Sequence, residues 1–416
     1  MINAKRLLLA APILVLAAWL LWGRGPPVPP VRIGALHSLS GTMALSERPL
    51  VDALSLAVDE INAEGGLLGR RLELIVVDSR SEPATAAREA ERLIREQRVS
   101  ALFACWTSAC RKAVKPVVER HDHLMFYPLQ YEGLEQSPNI IYTGATANQQ
   151  IIPGTAWALE RFGRKVYLVG SDYVFPRTAN RIVRDLVEVG GGNVLGERYL
   201  PLGATNMTAV VNDIRRLKPD LVINTINGDS NLQLFRALRE AGLQDQPMLS
   251  FSVAETELAN ADAAALTAHF GVWSYFQRLE NPKNRNFVSA MRAQGNPVVS
   301  DPMESTYDGL RLWAQAVRDA GTSEPAFVNL AILRQTFGAP SGVVAVDAAT
   351  RHLWKMVRIG QSQPDGQFKV LHSSSWPVRP TPFPVYRSRQ EWERIANAMS
   401  QDATATSANP AHAVAP

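Results

Sequence analysis

Between Val31 and Ala254 short apolar runs alternate with amphipathic stretches, and this alternation constrains the fold more than any other feature of the chain. Segments 31–36, 72–77, 99–103, 124–127, 140–142, 165–169, 193–199, 221–224 and 248–251 are short and mostly aliphatic, the pattern of buried strands. Segments 49–64, 83–96, 111–120, 149–161, 177–189, 207–217 and 231–241 carry apolar residues at helical spacing. In the first of these Leu50, Leu54, Ala57, Val58 and Ile61 share a face, and Gly65-Gly66 stops the helix. Strands alternating with helices give parallel sheets covered by helices on both faces, so the expected fold class is α/β.

Open sheets of this kind bind ligands beyond the carboxyl ends of their strands. Those ends share a character here. His37-Ser38, Trp106-Thr107-Ser108, Tyr127-Pro128, Ser171-Asp172-Tyr173, the run Thr225-Ile226-Asn227-Gly228-Asp229-Ser230 and Ser252-Val253-Ala254-Glu255 are polar and aromatic, whereas the opposite ends are ordinary turns. One polar strand end commonly just caps the next helix. Several, on both halves of the chain, describe one lined cleft. Trp106-Thr107-Ser108 is the most informative of them. It hands a strand over to a helix, whose unpaired first-turn amides, together with a hydroxyl, suit a carbonyl or an anion.

The remaining features bound the answer. A chain of 416 residues is long enough for two or three domains, or for two lobes of one binding protein. The net charge of +4 is small for that length and the basic residues are dispersed, which argues against nucleic acid as a partner. Lys5 and Arg6 precede an apolar run from Leu7 to Trp22, then a Pro-rich spacer from Pro26 to Pro30. Segment 1–30 therefore reads as a secretory signal peptide, or an uncleaved membrane anchor, with a stiff spacer. Gly190-Gly191-Gly192 lacks the spacing of a phosphate loop and reads as a helix stop. Cys105 and Cys110 could form a disulfide in an oxidising compartment; two small buried residues flanking a turn are the blander and expected arrangement. No histidine lies near them on a zinc-binding pattern, so no metal is expected. Past Gly271 the pattern shifts to helices at 286–294, 301–320 and 327–337, then strands at 343–346, 353–360 and 368–372. The Ala/Thr/Pro-rich end, within 394–416, is expected to be disordered.

These residues resemble a known family. His37-Ser38-Leu39-Ser40-Gly41-Thr42, Cys105-Trp106-Thr107-Ser108 with Arg111-Lys112, and Phe126-Tyr127-Pro128-Leu129-Gln130-Tyr131-Glu132-Gly133 are similar to the first lobe of the urea-binding proteins of ABC transporters. Gly170-Ser171-Asp172-Tyr173-Val174-Phe175-Pro176-Arg177, Thr225-Ile226-Asn227-Gly228-Asp229-Ser230-Asn231 and Asp301-Pro302-Met303 are similar to the rest. The short-chain amide sensors that control amidase operons are the sister group. The resemblance covers 31–389. It implies a type I periplasmic-binding fold, with two Rossmann-like lobes joined by three hinge strands and solute held between them. The lobes are expected at 31–145 with 278–340, and at 146–277 with 341–385.

The resemblance also implies roles. Ser108 and its backbone would hold a ligand carbonyl, Tyr127 and Tyr173 would flank it, and Trp106 would cover it. The amide sensors carry a proline near the alkyl side where this chain has Gln130. Urea differs from acetamide there by a second amino group, which needs acceptors, and an unpaired buried donor costs about 1–3 kcal/mol. Gln130, Asp229 and Glu255 could supply those acceptors. Each residue also has a plainer role: Ser108, Asp229 and Glu255 as helix caps, Tyr127 and Tyr173 as core aromatics, Gln130 as a loop hydrogen-bonder. The implied function is reversible capture of urea or a short-chain amide in the periplasm and delivery to an ABC permease, without chemistry or cofactor. A sensing regulator of the same fold is the alternative. An amidase with Cys105 as nucleophile would need a base that the sequence does not place beside it, so an enzyme is not expected.

Overall fold

The structure is a computed structural model and describes residues 28–261 and 268–408. The expected signal peptide or anchor lies outside the described residues as far as residue 27. No helix among the described residues is long and apolar enough to cross a membrane.

The chain opens with β1 (Val31–His37), α1 (Ala44–Ala63), β2 (Leu72–Asp78), α2 (Pro83–Arg95), β3 (Leu102–Ala104), α3 (Ser108–Arg120), β4 (Met125–Tyr127) and β5 (Ile140–Tyr142). A second set follows: α4 (Ile151–Phe162), β6 (Lys165–Ser171), α5 (Val174–Val189), β7 (Asn193–Leu200), α6 (Thr208–Leu217), β8 (Leu221–Thr225), α7 (Ser230–Glu240), β9 (Met248–Ser250), α8 (Glu255–Asn260) and β10 (His269–Trp273). The chain then returns through α9 (Pro282–Ala293), α10 (Asp301–Ala320), α11 (Pro325–Ala331), β11 (Thr336–Ala339), β12 (Gly342–Asp347) and β13 (His352–Trp354). It finishes with β14 (Arg358–Ser362), β15 (Phe368–Ser373) and α12 (Arg389–Ala408).

Two sheets result, in the orders β11-β12-β13-β5-β4-β3-β1-β2 and β15-β14-β10-β9-β8-β6-β7. The β1–β5 and β6–β10 pairings are all parallel, as the strand–helix alternation requires, and the added strands β11, β12, β14 and β15 pair antiparallel. Each sheet is buried between helices, so its central strands are apolar on both faces: Ile33, Ala35, Leu102, Phe103 and Met125 in the first lobe, Val166, Leu168, Val222 and Ile223 in the second. The chain passes between the sheets three times: after β5, after β10, and between β13 and β14.

The third passage differs from the sequence expectation. Segment 353–360 reads as one strand and 341–385 as second lobe, yet β12 and β13 belong to the first sheet and only β14 and β15 to the second. The reason is Lys355, which interrupts the apolar run. Its buried ammonium donates to Thr143 O at 3.0 Å, beside the first passage, and to Ser305 Oγ at 2.5 Å on α10, so the chain is pinned there and turns into the other lobe. The second passage is held from the same helix: Asp301 accepts the Ser274 and Tyr275 amides, each at 2.9 Å.

Helix boundaries also move: the helix expected at 327–337 ends at Ala331 and gives way to β11 from Thr336, and two ends have a clear cause. α1 starts at Ala44 rather than 49, because Glu47 is drawn back to the end of β1. Its Oε2 accepts the Ser38 amide at 2.9 Å and lies 3.2 Å from His37 Nδ1. Pro49 is tolerated near the start of the helix. At the other end, 389–408 is helical rather than disordered. Trp392 anchors it, with its ring fully buried in the second lobe and its indole N–H donating to Pro384 O at 2.7 Å.

Candidate functional site

The cleft is built on the turn between β3 and α3. Cys105 follows the strand with φ of +70°, a left-handed conformation rare for a side chain larger than glycine. Thr107 is the N-cap of α3, its hydroxyl accepting the Cys110 amide at 3.1 Å. Cys105 and Cys110 are joined as a disulfide, with Cα atoms 5.6 Å apart. This corrects the expectation of two unlinked buried cysteines: the left-handed turn brings their side chains to bonding range across one helical turn.

Behind the turn lies a buried charge network. Arg111 is fully buried between the rings of Tyr127 and Tyr131, its guanidinium carbon 4.7 and 4.4 Å from their centres. A buried cation needs paired charge. Glu135 Oε1 accepts from Nε at 2.9 Å and Glu132 Oε1 from Nη2 at 3.2 Å. Burial alone would raise the Glu135 carboxyl, but Arg111, Lys112 and Lys115 outweigh it and hold the group at about 2. Burial likewise opposes the Arg111 charge, and the two carboxylates outweigh it, so the guanidinium is held more firmly charged than usual.

This network changes the role of Ser108. Its hydroxyl donates to Glu132 Oε2 at 2.6 Å and accepts from Arg111 Nη1 at 2.9 Å. The proton expected to reach a ligand carbonyl is therefore committed to Glu132. Tyr127 is likewise committed, donating to Trp106 O at 2.6 Å.

Across the cleft the lobes are in contact. The Trp106 indole N–H donates to Asn227 Oδ1 at 3.2 Å. The Gln130 amide donates to Phe251 O at 2.9 Å and to Ser252 Oγ at 3.2 Å. Ser46 donates to Glu257 Oε1 at 2.7 Å. Gly228, at φ of +69°, lies so close to the first lobe that a Cβ would sit 2.7 Å from Thr42 O. The conformation observed is thus closed. Because Phe251 O and the Gln130 nitrogen must face each other, Gln130 Oε1 is left buried with no partner among the described residues. Tyr173, at the N-cap of α5 in the second lobe, is buried. Burial, then Tyr127 and Glu132, push its phenol well above the usual value.

Two expected site residues lie elsewhere. Asp229 is exposed, at the N-cap of α7 with no side-chain cap, because its neighbours Asn227 and Ser230 occupy the buried side of the turn. Glu255 is fully buried, but it faces the second passage, where Oε1 accepts the Gln277 amide at 2.8 Å and Oε2 has no partner among the described residues. Burial, with help from Asp301 and Glu257, pushes its carboxyl up to about 8, so at neutral pH it carries a proton, and the oxygen that the Gln277 amide leaves free is a donor rather than an acceptor.

A cavity of about 40 Å³ remains at the strand ends, walled by Ser38, Glu47, Thr107 and Cys110 from the first lobe and Leu202 from the second. It has room for a few non-hydrogen atoms. A much larger hollow of about 740 Å³ shares none of these residues and is edged by exposed Arg278, Arg285 and Arg292, so size alone does not locate the site. Sequence reasoning passed over Glu47, Arg111, Glu132 and Asn227 as site residues. Asn227 was visible as part of a polar strand end; the others carried no local signal, because their partners are distant in sequence. Among the described residues no group of three or more His, Cys, Asp or Glu is arranged to hold a metal ion.

A family model described as a periplasmic binding protein domain matches residues 31–389. The Leu/Ile/Val-binding protein homolog 6 of Brucella melitensis is 24% identical over 340 residues, covering 78% of this chain and 85% of that protein. A limonene hydroxylase of Geobacillus stearothermophilus is 30% identical over only 142 residues, 32% of this chain, and the chain spans just 26% of that protein. Among solved structures, the solute-binding protein of an ABC transporter from R. palustris in complex with 4-hydroxybenzoate has the same fold. Its TM-score is 0.76 at 22% identity, covering 83% of this chain and 97% of that one.

Proposed function

The chain belongs to the periplasmic binding protein domain family, and on that premise we propose that it is the periplasmic solute-binding protein of an ABC transporter, with urea or a short-chain amide as its solute. The carrying observation is Gln130. Its nitrogen ties the lobes together through Phe251 O, and its buried Oε1 has no donor among the described residues. An N–H of the solute satisfies it; with the solute's carbonyl and first amino group engaged elsewhere in the cleft, urea turns a second amino group toward Gln130 where acetamide turns a methyl, which favours urea.

The charge pattern supports a neutral, N–H-rich solute over a carboxylate such as the 4-hydroxybenzoate bound by the R. palustris protein. A buried carboxylate gains most from a free cation, and Arg111 is already held by Glu132 and Glu135. Binding works by population shift: the solute touches both lobes, so it stabilises the closed form by its differential affinity, and a permease reads that form. Equilibrium dialysis against labelled urea tests the reading. Saturable binding at micromolar concentration or tighter supports it; no saturable binding of urea, formamide or acetamide contradicts it.

A further inference from the structure

We propose that the Cys105–Cys110 disulfide is a redox latch on solute binding: intact, it holds the residues between the cysteines in the shape that closes the cleft, and its reduction by a dithiol releases that shape and weakens binding. The inference rests on the solute-binding reading above.

The bond spans residues that make several of the cleft's contacts. Between its two ends, Trp106 gives its indole N–H to Asn227 of the second lobe and its carbonyl to the Tyr127 hydroxyl. Thr107 caps α3, Ser108 orders Glu132, and Ala109 packs against the apolar cluster of the second lobe. The turn that carries them starts in the left-handed conformation at Cys105, which a non-glycine residue leaves readily when unrestrained. Three ties hold it there: the Cys105 amide to Leu36 O at 3.0 Å, the Tyr127 hydroxyl on Trp106 O at 2.6 Å, and the disulfide. Without the disulfide the turn keeps only the two hydrogen bonds, so part of its ordering falls to the moment of closure and is charged against affinity.

Access to the bond depends on the cleft. In the closed form Cys105 is fully buried and Cys110 is 8% exposed. Cys110 lies in the small cavity that Leu202 of the second lobe helps to wall. Opening the lobes removes that cover. A dithiol then attacks one sulfur through its thiolate, forms a mixed disulfide and resolves it with its second thiol. The dithiol is oxidised to its own disulfide, and Cys105 and Cys110 each leave as a thiol, two electrons and two protons having passed to them. Solute favours the closed form and so shields the bond. By linkage, a bond that strengthens binding is itself strengthened by the solute.

The test uses the whole protein in three states: oxidised, reduced with dithiothreitol after folding, and Cys105→Ser/Cys110→Ser. Hydrogen exchange at the 106–111 amides, urea affinity, and the rate of thiol release with and without urea are measured. The expected result is exchange faster and urea affinity weaker by about tenfold in both altered states, with slower thiol release under saturating urea. Unchanged exchange at these amides on reduction overturns the proposal, as does urea binding that neither depends on the bond nor slows its reduction. Should the double variant not fold, reduction of the folded protein carries the test. Should urea not bind the oxidised protein, the solute reading fails, while the exchange measurement still decides whether the bond orders the turn.

Discussion

Ser108 Oγ donates to Glu132 Oε2 at 2.6 Å, joining the first residue of α3 to a loop 24 positions further on. On the proposed reading, Ser108 then acts on the solute through the Arg111–Glu132 pair that it orders rather than by direct contact. Ser108→Ala is expected to cost about 1–3 kcal/mol of stability by leaving Glu132 and Arg111 short of a partner. Its effect on urea affinity is expected to be smaller than that of Glu132→Gln. Thermal melts and calorimetry on both variants check this, and Ser108→Ala abolishing binding while Glu132→Gln spares it would restore Ser108 as a direct ligand.

Trp106 and Asn227 form a bond that exists only when the lobes meet. Trp106→Phe keeps the apolar cover and deletes the donor. It is expected to weaken solute binding by about 0.5–1.5 kcal/mol, with no loss of thermal stability in the absence of solute. Small-angle scattering of the variant with solute is expected to show a larger open fraction.

Arg111 is fully enclosed with Glu132 and Glu135, so removing the cation strands two buried carboxylates. Arg111→Met is expected to destabilise the first lobe by about 3–5 kcal/mol, and adding Glu135→Gln to recover part of that loss. Denaturation by guanidinium is the suitable measurement, since urea is the proposed solute.

Two carboxyls give opposite pH limbs. Glu135 is held at about 2, below the usual 4.5, so its contribution is present above pH 4.5 and is lost as pH falls toward 2. Glu255 is raised to about 8. The folded chain keeps a proton there that the unfolded chain releases above 4.5, so stability falls between about pH 4.5 and 8 and then levels. Glu255→Gln is expected to flatten that decline, and thermal melts from pH 4 to 9 on both proteins read it out.

Asp229 stands in water outside the closed interface. Asp229→Ala is expected to leave urea affinity unchanged within error, and a clear loss would return it to the site.

The α/β fold was legible because its signal is local: period, strand length and helix stops are read within short windows. Likewise the turn at Trp106-Thr107-Ser108 was visible from its polarity alone. What escaped were pairings set by the tertiary fold. Lys355 ends a strand by bonding to Thr143, and Glu135 and Tyr131 enclose Arg111 from a loop that carries no helical or strand period. Trp392 was hidden because a single aromatic residue in an otherwise polar tail gives no periodic signal, although its burial decides that the tail folds. Asp229 misled because charge suggested a ligand contact, whereas the neutral Asn227 faces the other lobe.

Calorimetry of the oxidised protein with urea and with acetamide, repeated on Gln130→Leu, tests the central claim most directly. The account predicts micromolar or tighter urea binding, acetamide weaker by about tenfold or more, and loss of that preference in the variant. Acetamide bound as tightly as urea by the unaltered protein, or a preference for urea that survives Gln130→Leu, would contradict it.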